Sequence, residues 1–206
     1  NFTSETREGL GSRVNPIAMA MLDDIILKRQ KLTGNIYADI TPLKHLTWRT
    51  ELGFDISSSS SDLFEPRISI GNWTRSDNES RVQNNFNTFW QFKNYLTYSN
   101  TWGKHSVTAM VGQEMWESKW SYMSLQNSSL PLDSVHNPTL GEGEIVPGMG
   151  YGSSAMVSFF TRETYNYDDR YYLTYTYRYD GSSNFGPENR WAGFHSVAGS
   201  WRFSNE

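Results

Sequence analysis

Strict alternation over long runs constrains this chain more than any motif does. From Leu46 to Ile56, the residues Leu46, Trp48, Leu52, Phe54 and Ile56 share one parity, while Thr47, Arg49, Glu51 and Asp55 share the other. A period of two sustained over that span describes a strand with one apolar and one polar face. Asn35 to Thr41 alternates likewise through Ile36, Ala38 and Ile40, and TPLKH between the two runs reads as a tight turn in which Pro42 presets φ. Phe89 to Asn100 and His105 to Trp120 form a second pair around TWGK, where Gly103 is free to take positive φ. Ser153 to Tyr165 and Tyr171 to Tyr179 form a third pair around NYDDR, and a seventh strand runs from about Ala192 to Phe203. Ahead of them, Asn15-Pro16 followed by IAMAMLDDIILKRQ reads either as a short helix with Asn as N-cap, or as a strand or ordered loop.

The connections have a pattern of their own. Short turns at 41–45, 101–104 and 166–170 alternate with long polar segments at 57–85, 121–150 and 180–191. A meander built this way has two chemically different ends, as the short turns and long loops of outer-membrane barrels do. Soluble strands usually span about 5–6 residues, whereas tilted membrane strands need about 9–11, and several arms here reach that length. Trp191 and Trp201 stand ten residues apart on one strand, which at a usual rise and tilt is roughly the 25 Å between aromatic girdles. Trp102 near a short turn, with Trp116 and Trp120 near a long segment, repeats the arrangement. The longest apolar run, Ile17 to Leu22, is too short for a membrane helix of about 20 residues, which leaves a barrel open. Alternation alone suits a soluble β-sandwich equally well; loop asymmetry and strand length favour the barrel.

Composition excludes several chemistries. With 18 Lys and Arg against 22 Asp and Glu, the net charge of −4 provides no basic stripe for phosphates, so no nucleic-acid partner is expected. The absence of cysteine removes disulfides, thiolate metal sites and a cysteine nucleophile. His45, His105, His136 and His195 lack any metal-ligand spacing, and Asp23-Asp24 and Asp168-Asp169 read as solvated turns rather than calcium ligands. No Gly-x-Ser-x-Gly elbow occurs and no carboxylate pair is singled out, so the chain is read as no enzyme, with no catalytic, metal or cofactor residue. GMGYG at 148–152 has glycines like a phosphate-cradling loop but lacks its strand and helix, and reads as a flexible loop. Sequons stand at Asn72, Asn78 and Asn127. Trp73 above all, and with it Trp116 and Trp120, are candidates to stack on sugar rings or peptide side chains; the plainer reading has such rings packing their own loops.

The run RYDGSSNFGPENRWAGFHSVAGSWRFSNE, from Arg178 to Glu206, resembles the signature of the SusC/RagA family of TonB-dependent outer-membrane transporters. Arg178, Asp180, Gly181, Ser182, Ser183, Phe185, Gly186, Asn189, Arg190 and Trp191 match its first part, and Phe194, Ser196, Trp201, Arg202, Ser204 and Glu206 its second. His195 and Ser200 depart from it, where Pro and Gly are usual. LTGNIYADITPLKHLTWRTELGFDIS is similar to an earlier hairpin of the family. The resemblance implies a 22-stranded barrel enclosing a plug domain, a segment contacting the TonB complex, and a SusD-like lipoprotein lid. It implies import of glycans or peptides across the outer membrane of Bacteroidota.

On that reading residues 1–206 are part of the barrel domain, an all-β antiparallel meander of about seven strands, with the plug and remaining strands outside this chain. Such a slice has two open edges, which lipid does not tolerate, so the sheet is expected to be completed by further strands. Tyr171, Leu173, Tyr175, Tyr177 and Tyr179 are expected to face lipid, with Thr174, Thr176 and Arg178 toward the lumen. The alternative is a soluble, secreted β-sandwich that binds carbohydrate through its tryptophans.

Overall fold

The computed structural model describes residues 21–70 and 73–205. Nine strands follow one another: β1 (Asp24–Leu43), β2 (Leu46–Glu65), β3 (Ile68–Ile70), β4 (Trp73–Arg75), β5 (Glu79–Trp102), β6 (His105–Ser128), β7 (Val146–Tyr167), β8 (Tyr171–Ser182) and β9 (Trp191–Trp201). Seven of them make one sheet in the order β1-β2-β5-β6-β7-β8-β9, and β3 pairs with β4 in a separate antiparallel ribbon. Each long strand lies beside its neighbour in sequence, the meander that the alternation predicts. Within the sheet β1 and β9 stand at the edges and do not pair with one another.

The hairpin turns are made by residues that accept left-handed backbone. His45 has φ 69°, Gly103 φ 57°, and Asp168 and Asp169 both φ 54°. Turns of this hand match the twist of the strands they join, and apart from glycine it is Asn, Asp and His that enter this region most readily.

For IAMAMLDDIILKRQ the strand reading holds from Asp24, where β1 begins, while Met21 and Leu22 are helical; Asn15, Pro16 and the residues to 20 lie outside the described residues. Pairing with β2 overrides the local helix signals. One expectation is corrected: the long polar segments are partly strand. β2 runs to Glu65, β5 starts at Glu79, β6 runs to Ser128 and β7 starts at Val146, so that Ser57 to Ser61 and GMGYG are both in strands. Serine, asparagine and glycine interrupt a hydrophobic pattern without interrupting a ladder of backbone hydrogen bonds.

The chain divides into two compact units, one of Asn1–Lys31, Ser57–Asn87 and Trp120–Gly152, the other of Leu32–Ile56, Thr88–Lys119 and Ser153–Glu206. The first contains Phe64, Ile68 and Leu130, the buried hydrophobic residues among those described. Around them the buried polar groups are satisfied. Asn78 accepts from the Leu130 amide at 2.6 Å and donates to the Leu130 carbonyl at 3.2 Å and to Asp133 at 2.7 Å. Asn127 donates to the carbonyls of Pro138 and Gly141 at 2.9 and 3.0 Å. Ser80 donates to the His136 carbonyl, and the His136 ring stacks on Phe64 with centroids 4.1 Å apart. These side chains do for segment 129–145 what a ladder would do for a strand.

The second unit has a fully defined register over β7, β8 and β9, with Phe159 opposite Tyr179, Thr164 opposite Thr174, Tyr171 opposite Trp201 and Arg178 opposite Phe194. Because opposed residues point to the same side, one side carries Phe159, Tyr165, Leu173, Tyr175, Tyr179 and Val197, and the other Ser158, Arg162, Thr174, Thr176, Arg178 and Ser196.

Replacing Asn78 by Ala leaves both backbone groups of Leu130 without this partner in a buried place, a cost of about 1–3 kcal/mol. In the full-length protein, limited proteolysis should then cut within 129–145 markedly faster than in the wild type, with the rest of the chain resistant.

Candidate functional site

The polar side of the second unit is organised by Arg178. Its guanidinium donates to Asp180 at 2.7 Å, Glu114 at 2.9 Å and Ser158 at 2.8 Å, and Glu114 also meets Lys93 at 3.4 Å. Residues from β5, β6, β7 and β8 are tied by one chain of alternating charges: two cations face two carboxylates, so the cluster is neutral as it stands. A second group on the same unit joins Arg49 to Asp39 at 2.5 Å and to the Tyr95 hydroxyl at 3.5 Å. Alternation in the sequence marks these residues as polar-face positions, but nothing local announces that Glu114 and Ser158 meet Arg178. They stand 64 and 20 residues away from it.

The opposite side is apolar and open. Ile36, Leu173 and Val197 are 67, 50 and 68% exposed, and Trp48, Leu52, Val111 and Phe159 are exposed with them. Glu163, opposite Tyr175, is an exception on this side; it accepts from Thr161, and its second carboxylate oxygen is buried with no partner. His195 bonds the Tyr175 hydroxyl at 2.7 Å, and His105 the Tyr165 hydroxyl at 2.6 Å. Those two histidines serve as tyrosine partners, and His45 lies edge-on to Tyr98.

The family-signature residues form a connector. Gly181 is buried beneath its opposite number Trp191, whose ring would lie 2.7 Å from a Cβ placed there, and Trp191 stacks on Tyr179 at 5.0 Å. Ser183 donates from its amide to the Ala155 carbonyl at 2.9 Å while its hydroxyl accepts from the Ala155 amide at 2.8 Å, extending the β7–β8 ladder into the turn. The Ser182 amide bonds the Arg190 carbonyl at 3.0 Å and closes the loop. Within it Gly186 precedes a single 3-10 turn, Pro187–Asn189, whose last amide returns to the Gly186 carbonyl at 3.0 Å. Phe185 is exposed, and Phe194 and Ser196 stand opposite Arg178 and Thr176. Trp201 pairs with Tyr171, and the Arg202 guanidinium meets Asp169.

In that turn the hydrogen bond from Tyr172 holds the Asp169 carboxyl below its usual range, and the Arg202 charge acts in the same direction. A depressed carboxylate stabilises the fold above its unfolded pKa, so this tie is complete at neutral pH and is lost only as the pH falls through the acid range. Lys104 in the neighbouring turn bonds Asp168 at 2.7 Å, which raises its pKa.

The three candidate tryptophans are not brought together as one site. Trp73 opens β4, and its side chain lies outside the described residues. Trp116, in the second unit, packs against Phe89 with centroids 6.0 Å apart. Trp120, in the first, lies parallel to Tyr122.

No protein-family model matches the chain. It is 29% identical over 98% of its length to TonB-dependent receptor P3 of Formosa agariphila, and 26% identical over 93% to TonB-dependent receptor SusC of Bacteroides thetaiotaomicron. Among solved structures, the RagAB peptide transporter superposes on 91% of the chain with a TM-score of 0.80 at 26% identity. The chain spans about a fifth of the length of these relatives, 20, 19 and 21% respectively. Fold and site together define a segment of β-barrel wall, with an ion-paired face and an aromatic one. In sequence and in fold the chain is similar to a wall segment of the TonB-dependent barrels of these relatives.

Arg178→Ala removes three hydrogen bonds and leaves Glu114 and Asp180 facing each other with Lys93 alone. A loss of about 1–2 kcal/mol is expected, since the cluster is partly solvated, and Arg178→Lys should recover part of it. The temperature at which the full-length barrel loses its folded band on a semi-native gel measures both.

Proposed function

We propose that the protein to which this chain belongs is an outer-membrane importer, and that residues 1–206 are wall within its barrel domain. The apolar side faces lipid and the polar side faces the lumen. The observation that carries the reading is the exposed aromatic and aliphatic side of a single seven-stranded sheet, with no second layer over it among the described residues. A soluble sandwich would bury that side against another sheet, at about 25 cal/mol for each Å² covered. In hydrocarbon it needs no cover, while the backbone of every spanning strand must be paired.

Further strands pair with β1 and β9, and a plug occupies the lumen against the polar side. The plug-bearing part engages the TonB complex, which supplies the energy for uptake, and a SusD-like lipoprotein covers the outside. One similar protein of known structure is a peptide transporter, and a glycan or peptide too large for passive diffusion is the cargo class. The wall itself performs no catalysis. Its neutral ion-pair cluster around Arg178 holds four strands in register rather than offering a free charge to cargo.

Facing is tested by paired substitutions in the full-length protein. Leu173→Glu puts a charge into lipid and should cost roughly 2–4 kcal/mol, with sharply reduced assembly in the outer membrane, whereas Thr176→Glu should assemble nearly normally. Equal assembly of the two variants counts against the assignment of faces.

A further inference from the structure

GMGYG, at 148–152, lies in the first part of β7, two residues after its start at Val146, and its glycines fall at every second position. On the neighbouring strand β6 the residues facing them are Ser124, Tyr122 and Trp120, also at every second position. A Cβ at Gly150 would lie 2.5 Å from Tyr122 Cε1, and one at Gly152 2.8 Å from Trp120 Cε2 and Nε1, so both rings lie across the glycines. Their planes agree within 5° with centroids 6.3 Å apart. Two rings laid flat side by side on a bare strand turn one broad π surface away from the sheet, and Trp120 remains 47% exposed.

The setting is mostly neutral, with Arg81 as its charged neighbour. β5 and β6 are 24 residues each and meet at the turn Gly103–Lys104. That register puts Asn87 opposite Trp120, Asn85 opposite Tyr122 and Gln83 opposite Ser124. Gln83 donates to Asn85 at 2.9 Å and Asn85 to Ser59 at 3.3 Å, while Arg81, the next residue on that side of β5, is turned onto Gln83 at 3.3 Å. Along β6 the same parity includes Glu114, so the strip shares the polar side of that strand.

From this we propose that Trp120 and Tyr122 form a stacking platform for the sugar rings of a neutral oligosaccharide, with the Gln83 and Asn85 amides placed to bond its hydroxyls. The C–H faces of pyranoses suit an aromatic surface, and neutral amides suit hydroxyls. A cationic peptide would meet no carboxylate among these residues, and Arg81 alone would face the several charges of an anionic chelate. The proposal rests on the importer reading and narrows its cargo.

The test is calorimetric titration of the detergent-purified full-length transporter with cellohexaose, maltohexaose and mannohexaose. At least one should bind. Trp120→Ala and Tyr122→Ala should each weaken it by about tenfold or more, while Trp120→Phe stays within about threefold. Gly150→Val lifts the Tyr122 ring off the strand and should weaken binding as much as Tyr122→Ala, with every aromatic group retained. If the rings only shield glycines, the melting temperature falls and sugar affinity does not. That result overturns the proposal, as does failure of all three sugars to bind. TonB-dependent uptake that persists without sugar binding sinks the platform and leaves the importer reading standing.

Discussion

An aromatic ring laid over a glycine of the adjacent strand is the contact on which this sheet depends most. Trp191 covers Gly181, Tyr95 and Phe160 close on Gly112, and Tyr122 and Trp120 cover Gly150 and Gly152. Glycine alone is a weak strand residue, because ordering it costs entropy and it offers no side chain to pack. Beneath a ring the same absence becomes space that no other residue leaves. The pairing is specific in register, since a slip of one residue would send the ring to the other side of the sheet and leave the glycine bare. In a wall with almost no conventional core, such contacts take over the part that interdigitating side chains play in a globule.

The parts of the fold that were legible in the sequence are those where side chains report on the backbone. Leu46 to Ile56 alternates with Thr50 as the one polar residue on its apolar parity and is strand throughout; Gly103 and the Asp168-Asp169 pair mark turns that need left-handed residues, and they are found in them. The strand limits were not legible. Ser57 to Ser61 and Val146 to Gly152 are held by backbone bonds to their neighbours, and such bonds leave no trace in side-chain hydropathy. DIILKRQ, from Asp24, likewise carries helix-compatible spacing and becomes an edge strand because β2 is there to pair with it.

The site was legible by halves. The Arg-x-Asp-Gly-Ser-Ser run from Arg178 stood out as a family mark, and its physical meaning came only with the fold. Arg178 needed Glu114 and Ser158, brought in from two other strands; Gly181 needed Trp191; Ser183 needed Ala155. A motif of consecutive residues is thus the visible half of contacts whose other halves are dispersed along the chain. Gly186 differs, with ordinary φ and open space around it, and the structure places no demand for glycine there.

The buried asparagines carry a consequence for where this chain can mature. Asn78 and Asn127 each begin an Asn-x-Ser triplet, and both side-chain amides are spent on loop carbonyls in a fully enclosed setting. An oligosaccharyltransferase acting on the nascent chain would reach them before those loops close, and a glycan on either nitrogen would hold the loops apart. Passage through a eukaryotic secretory route would therefore modify two of the residues that pin the loops, and a host without that enzyme is the one in which this arrangement can form.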